Sequence, residues 1–158
     1  VSQTNKYQKE IESIAATFNL EAELVAAIIR TESNFNPNAI RYEKHYKWVC
    51  DVRKHAQFNN ISFETEFVTQ KISWGLMQIM GATARELGFK GPMIELCKPE
   101  IGMYYGCLYL AKHAKKYGYD LLKIIASYNA GSVRYIDGHL VNKDYVDKVM
   151  NHYKRFRV

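Results

Sequence analysis

Only three prolines and nine glycines punctuate the 158 residues, and between them apolar positions recur at intervals of three and four rather than alternating. A helix brings residues three and four apart onto one face, whereas a strand repeats every two, so the pattern predicts a mainly α chain. At this length one domain is expected, since single cores commonly occupy about 100–200 residues. A hydrophobic content of 47% with 24% charged residues is enough for a packed core and excludes disorder. The longest apolar stretches, around Leu24 to Ile29 and Leu121 to Ala126, fall far short of the roughly 20 residues that cross a bilayer, so no stable membrane insertion is expected.

A first helix is predicted from about Asn5 to Phe18, with Ile11, Ile14, Ala15 and Phe18 inward. Asn19 is expected to cap a second helix whose first turn carries Glu21 and Glu23 and whose stripe is Leu24, Val25, Ile28 and Ile29, ending near Ser33. The stretch from Arg41 to Ile72 lacks clean periodicity and reads as an irregular insertion, although Glu43 to His55 has helical potential. Ala82 to Leu87 should form a short helix stopped by Gly88, with a further turn over Met93 to Leu96. From Pro99 a long helix runs to Gly118, with Ile101, Tyr104, Tyr105, Leu108 and Ala111 as its inward face. Asp120 caps the next, in which Leu121, Ile124, Ile125 and Tyr128 share a side before Asn129-Ala130-Gly131. A final helix covers Asn142 to Phe156, with Tyr145, Val149, His152, Tyr153 and Phe156 as its packing face.

Glu32 breaks the pattern. It lies four positions after Ile28 and seven after Val25, which puts a carboxylate on the core-facing stripe. Burying an unpaired carboxylate costs several kcal/mol, and the usual response is a raised pKa that keeps the proton on. The partial negative charge of the helix C-terminus acts in the same direction. From periodicity alone two readings stay open: a proton donor, or a marginal residue that pairs with Arg30 or Arg41 and closes the helix.

Two further segments bear on the choice. Gly75-Leu76-Met77-Gln78 follows Trp74 and combines an indole, a thioether and an amide beside a residue with no side chain, suited to close approach of a ring-shaped ligand or to core packing. Ser127-Tyr128-Asn129-Ala130-Gly131 ends a buried helix with a phenol and an amide, able to hydrogen-bond a carboxyl or a sugar, or simply to close the helix.

Taken in order, Glu32-Ser33, Gly75-Leu76-Met77-Gln78 and Tyr128-Asn129-Ala130-Gly131 resemble the signature of the soluble lytic transglycosylase catalytic domain. Ser33 to Ala39 extends the first block, and Tyr145-Val146 is similar to the family's tyrosine-valine pair, so the resemblance spans Ile11 to Val149. It implies a helical, lysozyme-like fold of the goose-type lysozyme kind, with a groove for peptidoglycan glycan strands. It also implies cleavage of the β-1,4 bond between N-acetylmuramic acid and N-acetylglucosamine. The glutamate at position 32 would act as general acid, then as base on the muramic C6 hydroxyl, releasing 1,6-anhydromuropeptides. By positional match, Ser33 would lie near the sugar, Gly75, Met77 and Gln78 would line the cleft, and Tyr128 would position Glu32. Asn129 would either touch substrate or shape the helix end.

The chain departs from the family pattern in two places. The distance from Glu32 to Gly75 is much longer than usual, and Arg41, Tyr42, Glu43, Glu64 and Glu66 in that stretch are either solvated loop residues or ligands for glycan and stem peptide. A second carboxylate at Glu43 would convert the enzyme to a muramidase hydrolase, as in a lysozyme or phage endolysin, because an inverting route needs a base on the far sugar face. Val141-Asn142 stands where the family has a glutamate-threonine pair, which bears on the far wall of the groove.

The formal net charge of +6 attracts any polyanion, cell wall included. Lys154, Arg155 and Arg157 could hold nucleic acid, yet no DNA-reading motif is present, so no nucleic-acid partner is expected. His45, His55, His113, His139 and His152 show no ligand spacing with Cys50, Cys97 and Cys107, so neither a metal nor another cofactor is expected. Free thiols are the simplest reading of the three cysteines, with one disulfide also open. The chain is expected to act as a monomer on the cell wall. The segment Val1 to Lys6 lacks the apolar core of a secretory signal and an initiator Met, which fits a processed chain and leaves its route to the wall open.

Overall fold

The computed structural model of the protein describes residues 6–158. Among them are eight α-helices and two small antiparallel sheets, arranged in two compact units. One unit holds the described residues up to Phe35 together with Cys107–Val158, and the other holds Asn36–Gly106. Among the described residues no helix is long and apolar enough to cross a membrane.

In the first unit, α1 (Gln8–Thr17) buries Ile11 and Ala15. Asn5, the expected start of this helix, lies outside the described residues. Asn19 does not cap the next helix: it takes the left-handed conformation (φ 54°) that turns the chain out of α1, and α2 (Ala22–Ser33) begins after Glu21. Asn suits this role because it tolerates φ > 0 better than most residues. The carboxylate of Glu21 instead accepts the Tyr153 hydroxyl at 2.6 Å. Val25, Ile28 and Ile29 of α2 are fully buried, and α2 packs against α8 (Lys143–Phe156), whose Val149 is likewise fully buried. Burial of each such side chain contributes roughly 1.5–3 kcal/mol.

Between them in sequence, α7 (Leu121–Ala130) is capped by Asp120, whose carboxylate accepts the Lys123 N–H. A two-stranded hairpin follows, pairing Tyr135–Ile136 with His139–Leu140. Its turn residues Asp137 and Gly138 both have positive φ, the requirement of a tight two-residue hairpin. The Asp-Gly signal was in the sequence, but its flanking strands are too short to show alternation.

In the second unit, β1 (Ile40–Tyr42), β2 (Ile72–Trp74) and β3 (Ile79–Met80) form one sheet, with Ile40 opposite Trp74 and Ser73 opposite Met80. The stretch expected to be irregular is ordered: it contains α3 (Val52–Asn59) and α4 (Phe63–Gln70). Helix α4 is turned inside out. Glu66 and Gln70 are fully buried while Phe63 and Phe67 are exposed, which is why no apolar stripe announced it. Glu66 is no solvated loop residue, because Arg85 grips both its oxygens, Nε to Oε1 at 2.8 Å and Nη2 to Oε2 at 3.0 Å. Gln70 adds a third hydrogen bond at 2.9 Å and ties Cys50 through both the amide N–H and carbonyl of that residue. Burial pulls the Glu66 carboxyl upward, but the hydrogen bonds from Arg85 and Gln70 outweigh it and hold it below the usual carboxylate range. Arg85 itself belongs to α5 (Gly81–Glu86), the short helix expected before Gly88, and a 3-10 helix follows at Met93–Cys97.

Helix α6 (Pro99–Lys116) contributes residues to both units. Its buried positions are Gly102, Met103, Gly106, Cys107, Leu110, His113 and Ala114, not the face expected from Ile101, Tyr104, Tyr105, Leu108 and Ala111; Tyr104 is exposed. Glycine explains the rotation. A Cβ on Gly102 would sit 2.4 Å from the Leu96 carbonyl oxygen, and one on Gly106 would sit 2.5 Å from Met77 Sδ. The helix therefore approaches its neighbours along a glycine edge, while its tyrosines lie to the side. His113 is 5% exposed, and among the described residues neither ring nitrogen has a hydrogen-bond partner. Its ring lies edge-on to Tyr109 at 4.4 Å and stacks on Tyr117 at 6.2 Å. All three cysteines are free thiols, Cys107 buried and the other two half-buried.

Candidate functional site

The first unit holds Glu32, Ser33, Tyr128 and Asn129, and two further residues, Tyr145 and Asn142, hydrogen-bond to members of this set. Glu32 is in the last turn of α2, half-buried, with the fully buried Ile28 and Ile29 one turn before it. The helix stops abruptly behind it. Ser33 Oγ donates to the Ile29 carbonyl at 3.2 Å, the Asn34 N–H to the Arg30 carbonyl, and Asn34 and Phe35 both adopt left-handed conformations with φ of 52° and 61°. For a bulky residue such as Phe35 that conformation is strained by roughly 1–3 kcal/mol. The strain is held by burial of its ring.

From the first turn of α8, Tyr145 donates its hydroxyl to Glu32 Oε1 at 2.6 Å. Burial pushes the Tyr145 phenol well above its ordinary range, and the Glu32 charge and the hydrogen bond to it push the same way. Tyr128, on α7, is likewise held far above 10 by burial first and then by the charge of Glu32. Its ring packs against Tyr109 at 5.4 Å. Both phenols therefore stay neutral, and Tyr145 holds one oxygen of the Glu32 carboxyl as a neutral donor. Periodicity alone predicts Tyr145 as a packing residue of the last helix; the signal for its place beside Glu32 is the similarity of Tyr145-Val146 to the family's tyrosine-valine pair.

Asn142 is the second addition. Its Nδ2 donates to the Ala126 carbonyl of α7 and to Asn129 Oδ1, each at 2.9 Å. Asn129 is exposed at the end of α7, where Gly131 in the left-handed region (φ 76°) terminates the helix.

The remaining expected site residues belong to the second unit. Gly75 to Gln78 form the loop between β2 and β3. Gly75 has φ 70°, and a Cβ there would meet the Leu96 carbonyl oxygen at 2.4 Å, so only glycine fits. The Gln78 amide closes the loop and ties it to the sheet and the segment before it: Nε2 donates to the Gly75 and Ala39 carbonyls at 3.0 and 2.8 Å, and Oε1 accepts from Ser73 Oγ at 3.0 Å. Met77 is fully buried against Gly106. Glu43 pairs with Arg41 (2.6 Å) on the surface, and among the described residues no cluster of His, Cys, Asp and Glu could hold a metal ion.

The mainly helical architecture is that of a lysozyme-like protein. A structural comparison matches it to the lytic transglycosylase Slt of Pseudomonas aeruginosa, solved by X-ray as an inactive glutamate-to-glutamine mutant, with a TM-score of 0.62 and 18% sequence identity. The alignment covers 96% of this chain and 24% of that one, so the chain spans about a quarter of the relative's length. At the level of sequence, residues 9–149 match the Transglycosylase SLT domain, and the chain belongs to that family.

Proposed function

We propose that this chain is a peptidoglycan lytic transglycosylase that cleaves the β-1,4 bond between N-acetylmuramic acid and N-acetylglucosamine, with Glu32 as its acid and base. The observation that carries this reading is the 2.6 Å hydrogen bond from Tyr145 to Glu32 Oε1, made beside the buried phenol of Tyr128. A general acid must be aimed before it is useful, and one oxygen fixed by a neutral donor sets the direction of the other. The family and the fold support the same reaction, and the relative's inactive form is a glutamate-to-glutamine mutant.

In the proposed cycle Glu32 gives its proton to the glycosidic oxygen as the bond to the anomeric carbon breaks. The substrate's own 2-acetamido group supports the oxocarbenium-like centre, in place of a second protein carboxylate. Glu32, now ionised and steadied by the Tyr145 hydroxyl, takes the proton of the muramic C6 hydroxyl, whose oxygen closes the 1,6-anhydro ring. Water is not consumed. Peptidoglycan is the partner and the cell wall the place of action.

The test is mass spectrometry of digested sacculi. Anhydro-ended muropeptides are expected from the unaltered chain, and Glu32→Gln should lower turnover by roughly 10³-fold or more, since one residue supplies both proton transfers. Reducing ends heavier by one water would replace this reading with a muramidase. Full activity of the Glu32→Gln variant would overturn both.

A further inference from the structure

The Ala126 carbonyl oxygen can only accept a hydrogen bond, so the branch of the Asn142 amide lying 2.9 Å from it must be Nδ2. The same nitrogen lies 2.9 Å from the Asn129 amide, and because it can only donate, the atom facing it must be Asn129 Oδ1. The acceptor of Asn129 is thereby engaged. Its NH2 group, about 120° away across the planar amide, points elsewhere on an exposed side chain. Asn142 also opens α8: its carbonyl accepts the Val146 N–H at 3.1 Å, and three residues on Tyr145 reaches Glu32. One residue thus anchors both the helix turn that aims the carboxyl and the amide at the end of α7.

We infer that Asn142 is a positioning residue that locks the Asn129 amide with its NH2 outward, so that this part of the site donates a hydrogen bond to an acetamido carbonyl of the glycan. The lock itself follows from the geometry above, while the acetamido ligand rests on the function proposed for the site. With Asn142 absent, the Asn129 amide turns over freely and presents oxygen as readily as nitrogen. With an aspartate at 142, its carboxylate accepts from the Asn129 NH2 and the polarity reverses.

Two measurements separate the parts. In the ligand-free protein, NMR exchange of side-chain amide protons should show Asn142 protected and Asn129 exchanging fast; equally fast exchange at both overturns the lock whatever the function. Calorimetric titration then compares an N-acetylglucosamine tetramer with its de-N-acetylated counterpart, whose ammonium groups can only donate. The unaltered chain should prefer the N-acetyl form. Asn142→Asp should lower that preference about tenfold, and Asn142→Ala, which adds no charge, should lower it in the same direction. Equal weakening of both ligands would mean a merely structural role and would overturn the inference. A protected Asn142 in a chain that binds neither oligomer and releases no muropeptides would overturn the acetamido assignment together with the function on which it rests.

Discussion

His113 makes the fold of the first unit vulnerable to acid. Burial, aided by Lys116 and Lys112, lowers its imidazole from the usual 6.5 to about 4. The unfolded chain therefore binds the proton more tightly than the folded one. The stability conferred by the neutral ring is complete above pH 6.5 and is lost as the pH falls toward 4. Each unit of displacement is worth about 1.4 kcal/mol, so the loss reaches about 2 kcal/mol at pH 5 and about 3 kcal/mol at pH 4. His113→Phe keeps an aromatic ring between Tyr109 and Tyr117, removes two unsatisfied nitrogens and abolishes the titration. Urea unfolding of both proteins between pH 7.5 and 4.5 gives a difference in which all other titrations cancel. That difference should favour the variant by about 2 kcal/mol more at pH 5 than at pH 7.5. A difference independent of pH would refute the reasoning, and a ring nitrogen bound to a buried water would be the first alternative to seek.

Tyr145→Phe removes the hydroxyl that holds Glu32 Oε1 while leaving the ring; kcat on sacculi should fall by roughly 10- to 100-fold with KM little changed, as expected for a group that acts on the transition state. In the second unit, Glu66→Ala leaves the fully buried Arg85 guanidinium without its counter-charge, and thermal or urea unfolding should show a loss of about 3–5 kcal/mol. The surface pair Arg41–Glu43 is the control: Glu43→Ala should cost no more than about 1 kcal/mol.

Much of the helical framework was legible because its signals are local. Pro99, Asp120, Gly88 and Gly131 mark starts and stops by their own backbone chemistry, and Ile28 and Ile29 follow Val25 at the helical intervals of three and four. What was hidden depended on partners distant in sequence. Glu66 and Gln70 look solvated until Arg85 is placed beside them, and with them α4 loses its expected stripe. The inward face of α6 was misread because an apolar count weights Tyr104 above Gly106, whereas close packing selects the residue without a side chain. In the site, Glu32 stood out as a carboxylate on an apolar stripe, but its hydrogen-bond donor is 113 residues away, beyond the reach of any periodicity. Asn142 registered only as a departure from the family pattern, and its use emerged from two hydrogen bonds to α7.

The grip of Arg85 on Glu66 constrains how such a chain can be trimmed. A guanidinium in the short helix after the sheet is neutralised by a carboxylate from the long stretch that separates Glu32 from Gly75, so that stretch is no detachable ornament. An engineered truncation that removes it takes away the carboxylate partner of Arg85, so the stretch and Arg85 should be altered together.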